Sequence, residues 1–314
     1  MADDGDLSKA SLRWKILRKA LDPRRPLPLC QNGPQPDLER VSRRTACGFN
    51  LISFEVVAGD DAKIHGADSV GARDVTVCYK LPAPRSTELL LTQRQENHAD
   101  LRDFDVCNQY NIDNTGLVCP WPSEEVLAYF CLSHSDMFRS RRVIELGSGY
   151  GLAGLVIAAA TEASEVVISD GNPQVVNYIQ SNIDANSHHF SGTEVSPMML
   201  HWSQSDISGV SNSFDIIIAS DCTFFKEFHS DLANIIKCLL KNQGPSEAIL
   251  FSPKRGNSLD KFLDIVRKSG LSFSVTENYN EKVFRQHCDF LNGNVSWPGY
   301  EKDHCYPLLI RITR

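Results

Sequence analysis

The sequence has no apolar run long enough to cross a bilayer. The longest candidate, Leu152 to Ala160, is interrupted by Thr161 and Glu162, far short of the roughly 20 residues that a membrane helix needs. None of the ten cysteines falls in a C-x-x-C pair, which argues against a zinc centre or a redox dithiol, so no metal is expected. Internal repeats and low-complexity tracts are also missing. The N-terminus carries Asp3, Asp4 and Asp6 and no contiguous apolar core, so neither a secretory signal nor an acid-poor transit peptide is expected. With dispersed thiols, that points to a reducing compartment, the cytoplasm or the nucleus. A general basic face is lacking too. Residues 1–44 hold ten Lys or Arg against six Asp or Glu, but the rest of the chain holds 22 against 33. A body this acidic does not suit a phosphate backbone, so nucleic acid is not an expected partner.

The remainder describes an ordinary globular protein. At 314 residues, 42% hydrophobic and 23% charged, the chain can build one large α/β domain and a modest N-terminal addition. Leu12, Ile16, Leu17 and Leu21 form an apolar stripe that predicts a basic helix over 8–21. Prolines 23, 26, 28, 34 and 36 then make a linker. From Phe49 to about Gln93 short β-type runs follow, such as Asn50–Val57 and Val75–Leu81. Three regions result: a basic helix and linker over 1–48, a β-rich region over 49–112, and a main domain over 113–314. In the main domain Ser123 is read as the cap of a helix whose first turn carries Glu124 and Glu125. Strands and helices then alternate. Strands are expected at Arg142–Leu146, Glu165–Asp170, Val195–Leu200, Phe214–Ala219 and Ala248–Ser252. Helices are expected at Leu152–Ala160, Pro173–Asn186, His229–Lys241 and Ser258–Ser269. Two closing strands, Ser272–Glu277 and Tyr306–Thr313, have little predicted between them. This alternation predicts a Rossmann-like, mostly parallel sheet with helices on both faces and an antiparallel edge.

The strongest local signal is the run Val143 to Gly154, in which a buried strand enters a glycine-rich turn that opens a helix. Glycines let the backbone turn sharply beside a ligand, and the helix start offers free N–H groups. The spacing is not that of a dinucleotide fingerprint, because the third glycine comes early, at Gly151, and Leu152 stands in the fingerprint's place. A P-loop is excluded by the absence of G-x-x-x-x-G-K. Asp170 ends the next strand, 23 residues beyond Gly147, where a carboxylate can accept both hydroxyls of a ribose. The fourth strand of the domain runs out into Ser220, Asp221, Cys222, Thr223 and Phe224. In a sheet of this topology that end lies beside the ligand, so Asp221 and Phe224 should face the chemistry.

The segment Glu145-Leu146-Gly147-Ser148-Gly149-Tyr150-Gly151 resembles the first motif of methyltransferases that use S-adenosylmethionine. That resemblance implies a seven-strand sheet and S-adenosyl-L-methionine as cofactor. It also implies that Glu145 supports the loop and that Gly147, Ser148 and Gly149 lie against the methionine part. Trp202 falls where the family places a side chain beside the adenine; an ordinary core tryptophan is the other reading. Trp121 stands where the lysine-methylating branch has a tryptophan near the cofactor, and Ser220 borders the same site. Asp221-Cys222-Thr223-Phe224 is similar to the D-x-x-Y/F motif of seven-strand protein-lysine methyltransferases, with Phe where most relatives have Tyr. The N-P-P-F and D-P-P-Y motifs of base methylation are absent, as is the glutamate pair of arginine methylation. In this reading Asp221 orients the target amine, and Phe224 can hold a cationic group by its ring.

Longer runs lie outside these shared motifs: Asp113 to Tyr129, Ser252 to Leu259, and Glu277-Asn278-Tyr279. They resemble the branch of the family whose substrate is calmodulin. The resemblance implies methylation, to the trimethyl level, of a calmodulin lysine by a monomeric enzyme with no membrane contact. A lysine of another protein, or an inactive interaction module with the same fold, are the competing readings.

Overall fold

A computed structural model of the chain describes residues 48–57, 74–82, 87–95, 101–110, 112, 115–118, 121–203, 207 and 209–314. The basic helix expected over 8–21 and the proline-rich linker after it lie outside the described residues. The N-terminal region forms a three-stranded antiparallel sheet of β1 (Ser53–Val57), β2 (Asp74–Lys80) and β3 (Glu88–Arg94) in that order. Two helices follow, α1 (Leu101–Tyr110) and the single turn α2 (Thr115–Val118), neither of which the sequence pattern singles out.

The main sheet begins after α3 (Pro122–Ser133). Its elements in chain order are β4 (Arg142–Leu146), α4 (Leu152–Ala160), β5 (Glu165–Asp170), α5 (Pro173–Asn186), β6 (Glu194–Met199), β7 (Ile216–Ser220), α6 (His229–Leu239), β8 (Glu247–Ser252), α7 (Ser258–Lys268), β9 (Ser272–Thr276), α8 (Glu281–Leu291), α9 (Lys302–Cys305) and β10 (Leu308–Thr313). The spatial order is β6-β5-β4-β7-β8-β10-β9. The first five strands are parallel, and β10 inserts antiparallel between β8 and β9. The seven-strand sheet and the added β-rich region are therefore as expected.

Parallel strands are buried on both faces, and the period of two assigns each residue a side. Val143, Ile218, Ile249 and Phe251 join one core with α3 and α4 through Val126, Leu127, Leu155 and Val156. Their chain neighbours Ile144, Ile217, Ala248 and Leu250 join the opposite core. There α6 supplies Leu232, Ile235, Ile236 and Leu239, the i, i+3, i+4, i+7 stripe of an amphipathic helix. Full burial of each such side chain stabilises the fold by about 1.5–3 kcal/mol.

Two sequence expectations need correction. The connection between the closing strands is not short: it holds α8 and α9. Asn280 caps α8, its Oδ1 accepting from Lys282 N (3.0 Å) and Val283 N (3.2 Å). Its apolar side joins Phe284 and Phe290 to Trp297, Tyr300, Tyr306 and Phe49 in an aromatic cluster. Ser123 is not the cap of α3 either. Trp121 holds the cap position with Pro122 at the first helical place, and no side chain closes that end.

The N-terminal sheet is joined to the main domain by side chains that substitute for a strand. On α5, Asn182 Oδ1 accepts from Thr92 N (2.8 Å) while its amide donates to Thr92 O (3.2 Å). One turn on, Asn186 repeats the pairing with Leu90 N (2.9 Å) and Leu90 O (2.7 Å). Both asparagines are buried. The free edge of β3, which would otherwise recruit another strand, is thus satisfied within the chain.

Candidate active site

The C-terminal ends of β4, β5 and β7 open into one large cavity. Of the residues singled out from the sequence, Trp121, Gly147, Ser148, Gly149, Asp170, Trp202, Ser220, Asp221 and Phe224 all line it. Glu145 does not: it is fully buried behind the loop, where its Oε2 accepts from Gly154 N (2.9 Å) at the start of α4.

One end has the form of a cradle for a nucleoside. Gly147 has φ +60, and a Cβ there would meet Cys222 Sγ at 2.9 Å and Trp202 Cζ2 at 3.1 Å. The position therefore requires glycine for both conformation and space. Asp170 Oδ1 accepts from Asn172 N (2.8 Å) and Oδ2 from Gly149 N (3.2 Å). These amides fix the carboxylate against the glycine loop, on the cavity wall that also carries the Trp202 ring. A carboxylate acceptor, an indole face and glycines that admit close backbone approach fit S-adenosylmethionine. Among the described residues there is no cluster of three or more His, Cys, Asp or Glu able to hold a metal.

Two carboxyls meet at the cavity wall, Glu145 fully buried and Glu124 half-buried and lining the cavity. Glu124 Oε2 accepts from the Ser220 hydroxyl (2.6 Å), and its Oε1 accepts from Ala153 N (2.9 Å), the amide next to the one held by Glu145. Burial raises the pKa of both acids, and contact between them raises that of Glu145 further, well above the usual carboxylate range. Contact between two such carboxyls opposes ionisation of both at once, so Glu145 holds its proton to higher pH than a free acid. Read from sequence, Glu124 and Glu125 were acids favoured by a helix start. In the structure Glu125 instead gathers the N–H groups of Asn50 (3.1 Å), Leu51 and Ile52 (3.2 Å), tying the approach to β1 onto α3.

At the other end stands Asp221, left-handed at φ 54, with its N–H donating to Phe251 O (2.9 Å). Its Oδ1 accepts from Arg255 Nη2 at 2.6 Å, and both side chains are more than nine-tenths buried. Oδ2 makes no hydrogen bond of good geometry, although the Ser123 hydroxyl favours the charged form. Burial raises the pKa of Asp221 and Arg255 opposes that rise. The Arg255 guanidinium sits 4.6 Å from the Trp121 ring centre and 4.8 Å from that of Phe224. Sequence reasoning gave Phe224 a cationic ligand or substrate to hold; the cation found on its ring is an internal arginine.

Sequence reasoning also missed the far wall, which comes from the N-terminal sheet: Phe54, Tyr79, Leu91 and Gln93 face the same cavity. Tyr150, inside the glycine loop, links the two parts, its hydroxyl donating to Leu117 O (2.5 Å) and accepting from Arg94 N (3.1 Å). No periodicity marks such contacts. For Arg255 the available signal was its place in the loop after β8, on the edge of the sheet where Asp221 also lies.

A family model described as lysine methyltransferase matches residues 106–269. The calmodulin-lysine N-methyltransferase of Arabidopsis thaliana is 57% identical over 99% of this chain and 99% of its own length. A human protein-lysine N-methyltransferase, EEF2KMT, is 24% identical over 54% of this chain and 55% of its own. A protein N-terminal and lysine N-methyltransferase, EFM7, of Yarrowia lipolytica is 27% identical over 56% of this chain and 73% of its own.

Proposed function

Since this chain belongs to the lysine methyltransferase family, we propose that it transfers methyl groups from S-adenosylmethionine to a lysine side chain of calmodulin. The observation that carries the substrate is the 57% identity to the Arabidopsis enzyme, which runs through 99% of both chains. It therefore includes the N-terminal sheet and the α8 insertion as well as the shared cofactor motifs. Bound in the cradle, S-adenosylmethionine supplies an electrophilic methyl on a sulfonium.

The chain's own residues must then present a neutral amine in line with that methyl. A free lysine has a pKa near 10.4, so forming the neutral amine at pH 7 costs about 4–5 kcal/mol. A dry site that already holds positive charge reduces that cost. Asp221 orients the amine from the cavity wall, and the Trp121 and Phe224 rings narrow the space in which it can point. The C–S bond breaks as the C–N bond forms, and the amine proton leaves through water. Repetition of this step gives the di- and trimethyl products.

The cavity is completed by elements of one chain, which supports action as a monomer. The dispersed cysteines, none in a C-x-x-C pair, support residence in the cytoplasm and nucleus. No described helix is long and apolar enough to cross a membrane.

The test is incubation of purified protein with unmethylated calmodulin and tritiated S-adenosylmethionine, followed by mass spectrometry of calmodulin peptides. Label on one lysine, advancing through one, two and three methyl increments, is expected. Normal cofactor binding with no label on calmodulin, and label on another protein of a cell extract, would move the substrate assignment elsewhere.

A further inference from the structure

We propose that Arg255 is a positioning residue for methyl transfer, holding the Asp221 carboxylate for the acceptor amine from its place against the Trp121 and Phe224 rings. The inference rests on the lysine-methylating reading of the site and adds to it a residue that works from behind the cavity.

The two members of the pair have different places. Asp221 lines the cavity and Arg255 does not, so the arginine holds the carboxylate from outside the cavity. Arg255 binds Oδ1 alone, which leaves Oδ2 buried beside the Ser123 hydroxyl without a well-formed hydrogen bond, a cost that a donor reaching it would relieve. The arginine is itself held on several sides. The Trp121 and Phe224 ring centres lie 6.1 Å apart with the guanidinium carbon near both. A planar, weakly hydrated cation suits contact with two ring faces better than a compact ammonium does. Its backbone is left-handed at φ 46, and its N–H donates to Asp303 O at 2.7 Å, anchoring the β8–α7 loop on α9. Left-handed backbone at both Asp221 and Arg255 is uncommon outside glycine, and a residue held there is over-determined by its surroundings. A hydrophobic pair of equal volume would pack the same space without burying two charges, so stability does not account for this pair.

The groups facing Asp221 define its titration. They are Arg255 from the β8–α7 loop, Glu124 and the Ser123 hydroxyl from α3, Cys222 next in the chain, and Cys305 at the end of α9. Arg255 is the cation in this set. Its loss leaves a buried carboxylate beside Glu124 and raises the pH at which Asp221 ionises.

The experiment is a double-mutant cycle of Arg255→Gln and Asp221→Asn, with Arg255→Lys alongside, on the full-length chain with calmodulin as substrate. Methylation of calmodulin by the wild-type enzyme is established first. A failed substrate assignment therefore shows in the wild type and a failed role for Arg255 only in the variants. R255Q is expected to lower kcat by about 10- to 100-fold, the cost of a misplaced reacting group, with the dissociation constant of S-adenosylmethionine unchanged. Its acidic limb of kcat should move to higher pH. In the D221N background R255Q should cost little more, because the arginine acts through the carboxylate. R255K keeps the charge but loses the fork, so it should keep the acidic limb in place while losing part of kcat. Losses that multiply in the double variant, or an R255Q profile that matches wild type, would overturn the proposal. If R255Q does not fold, R255K decides: kcat equal to wild type overturns it.

Discussion

Replacing Glu145 by Gln should stabilise this protein, and by more as the pH rises. Glu145 is fully buried, accepts from Gly154 N at 2.9 Å, and lies against Glu124, which already accepts from Ser220 and Ala153. Burial and the neighbouring acid hold its pKa well above the ordinary carboxylate value. The sign follows from proton counts. Between the unfolded value, near 4.3 for Glu, and the raised folded value, the folded state binds a proton that the unfolded chain has released. Stability contributed by the neutral acid is therefore complete below the unfolded pKa and is lost as pH rises, by up to about 1.4 kcal/mol per pH unit for one proton. A Gln at 145 has no proton to lose. Its carbonyl can accept from Gly154, and its amide can donate to Glu124. Relative to wild type, E145Q should gain stability as the pH rises from about 5.5 to about 7.5, by no more than about 1.4 kcal/mol per pH unit. Urea unfolding followed by far-ultraviolet circular dichroism, at fixed ionic strength across that range, measures the gap directly. Wild-type and E145Q stabilities that run parallel with pH would show that the pair is fully ionised, and the proton held by Glu145 would be wrong.

Three further outcomes are expected. Asp170→Ala removes the acceptor for Gly149 N and Asn172 N and the carboxylate expected to accept from the cofactor's ribose. Calorimetry should show cofactor affinity weakened by about 2–3 kcal/mol, with the fold retained. Asn182→Ala removes the side chain that accepts from the N–H of half-buried Thr92 and donates to the carbonyls of Thr92 and Tyr150. It should cost about 3 kcal/mol in denaturant titration and loosen β3 in amide exchange ahead of global unfolding. Deletion of residues 1–25, part of a segment with ten basic against six acidic side chains, should raise KM for acidic calmodulin several-fold at low salt and much less at high salt. Equal KM values at low ionic strength would remove that capture role.

The sheet was legible because its central strands carry apolar runs and its helices are punctuated. Arg142–Leu146, Leu152–Ala160, Glu165–Asp170 and Pro173–Asn186 fall where pattern and turn residues put them. Gly147, Asp170 and Asp221 were legible as cavity residues because sheet topology brings strand ends together, whatever the intervening sequence, and Trp202 through the family resemblance. Two kinds of feature were not. Helix α8 alternates charged and aromatic residues between two short strands, and its packing partner Phe49 is more than 230 residues away in the chain. Glu124, Glu125 and Arg255 are charged residues whose burial only tertiary structure reveals. A carboxylate in the first turn of a helix satisfies a local rule, so the local rule concealed that Glu124 reaches β7 and α4.

Those concealed residues also explain why the N-terminal sheet belongs to the catalytic unit. A docking appendage would meet the main domain at a patch, yet here Phe54, Tyr79, Leu91 and Gln93 form a wall of the cavity that Gly147 and Asp170 open. Three separate devices hold that wall. Glu125 collects the amides of residues 50–52, Asn182 and Asn186 pair with the edge of β3, and Tyr150 carries a hydrogen bond from β3 into the glycine loop itself. Asn182 also donates to the carbonyl of Tyr150 at 3.1 Å, so one side chain touches both the wall and the loop. Any displacement of β3 is then felt at the residues that flank the cofactor cradle. A substitution confined to β3 should therefore change cofactor affinity, and an unchanged dissociation constant would show that the hydrogen bonds at Tyr150 transmit nothing.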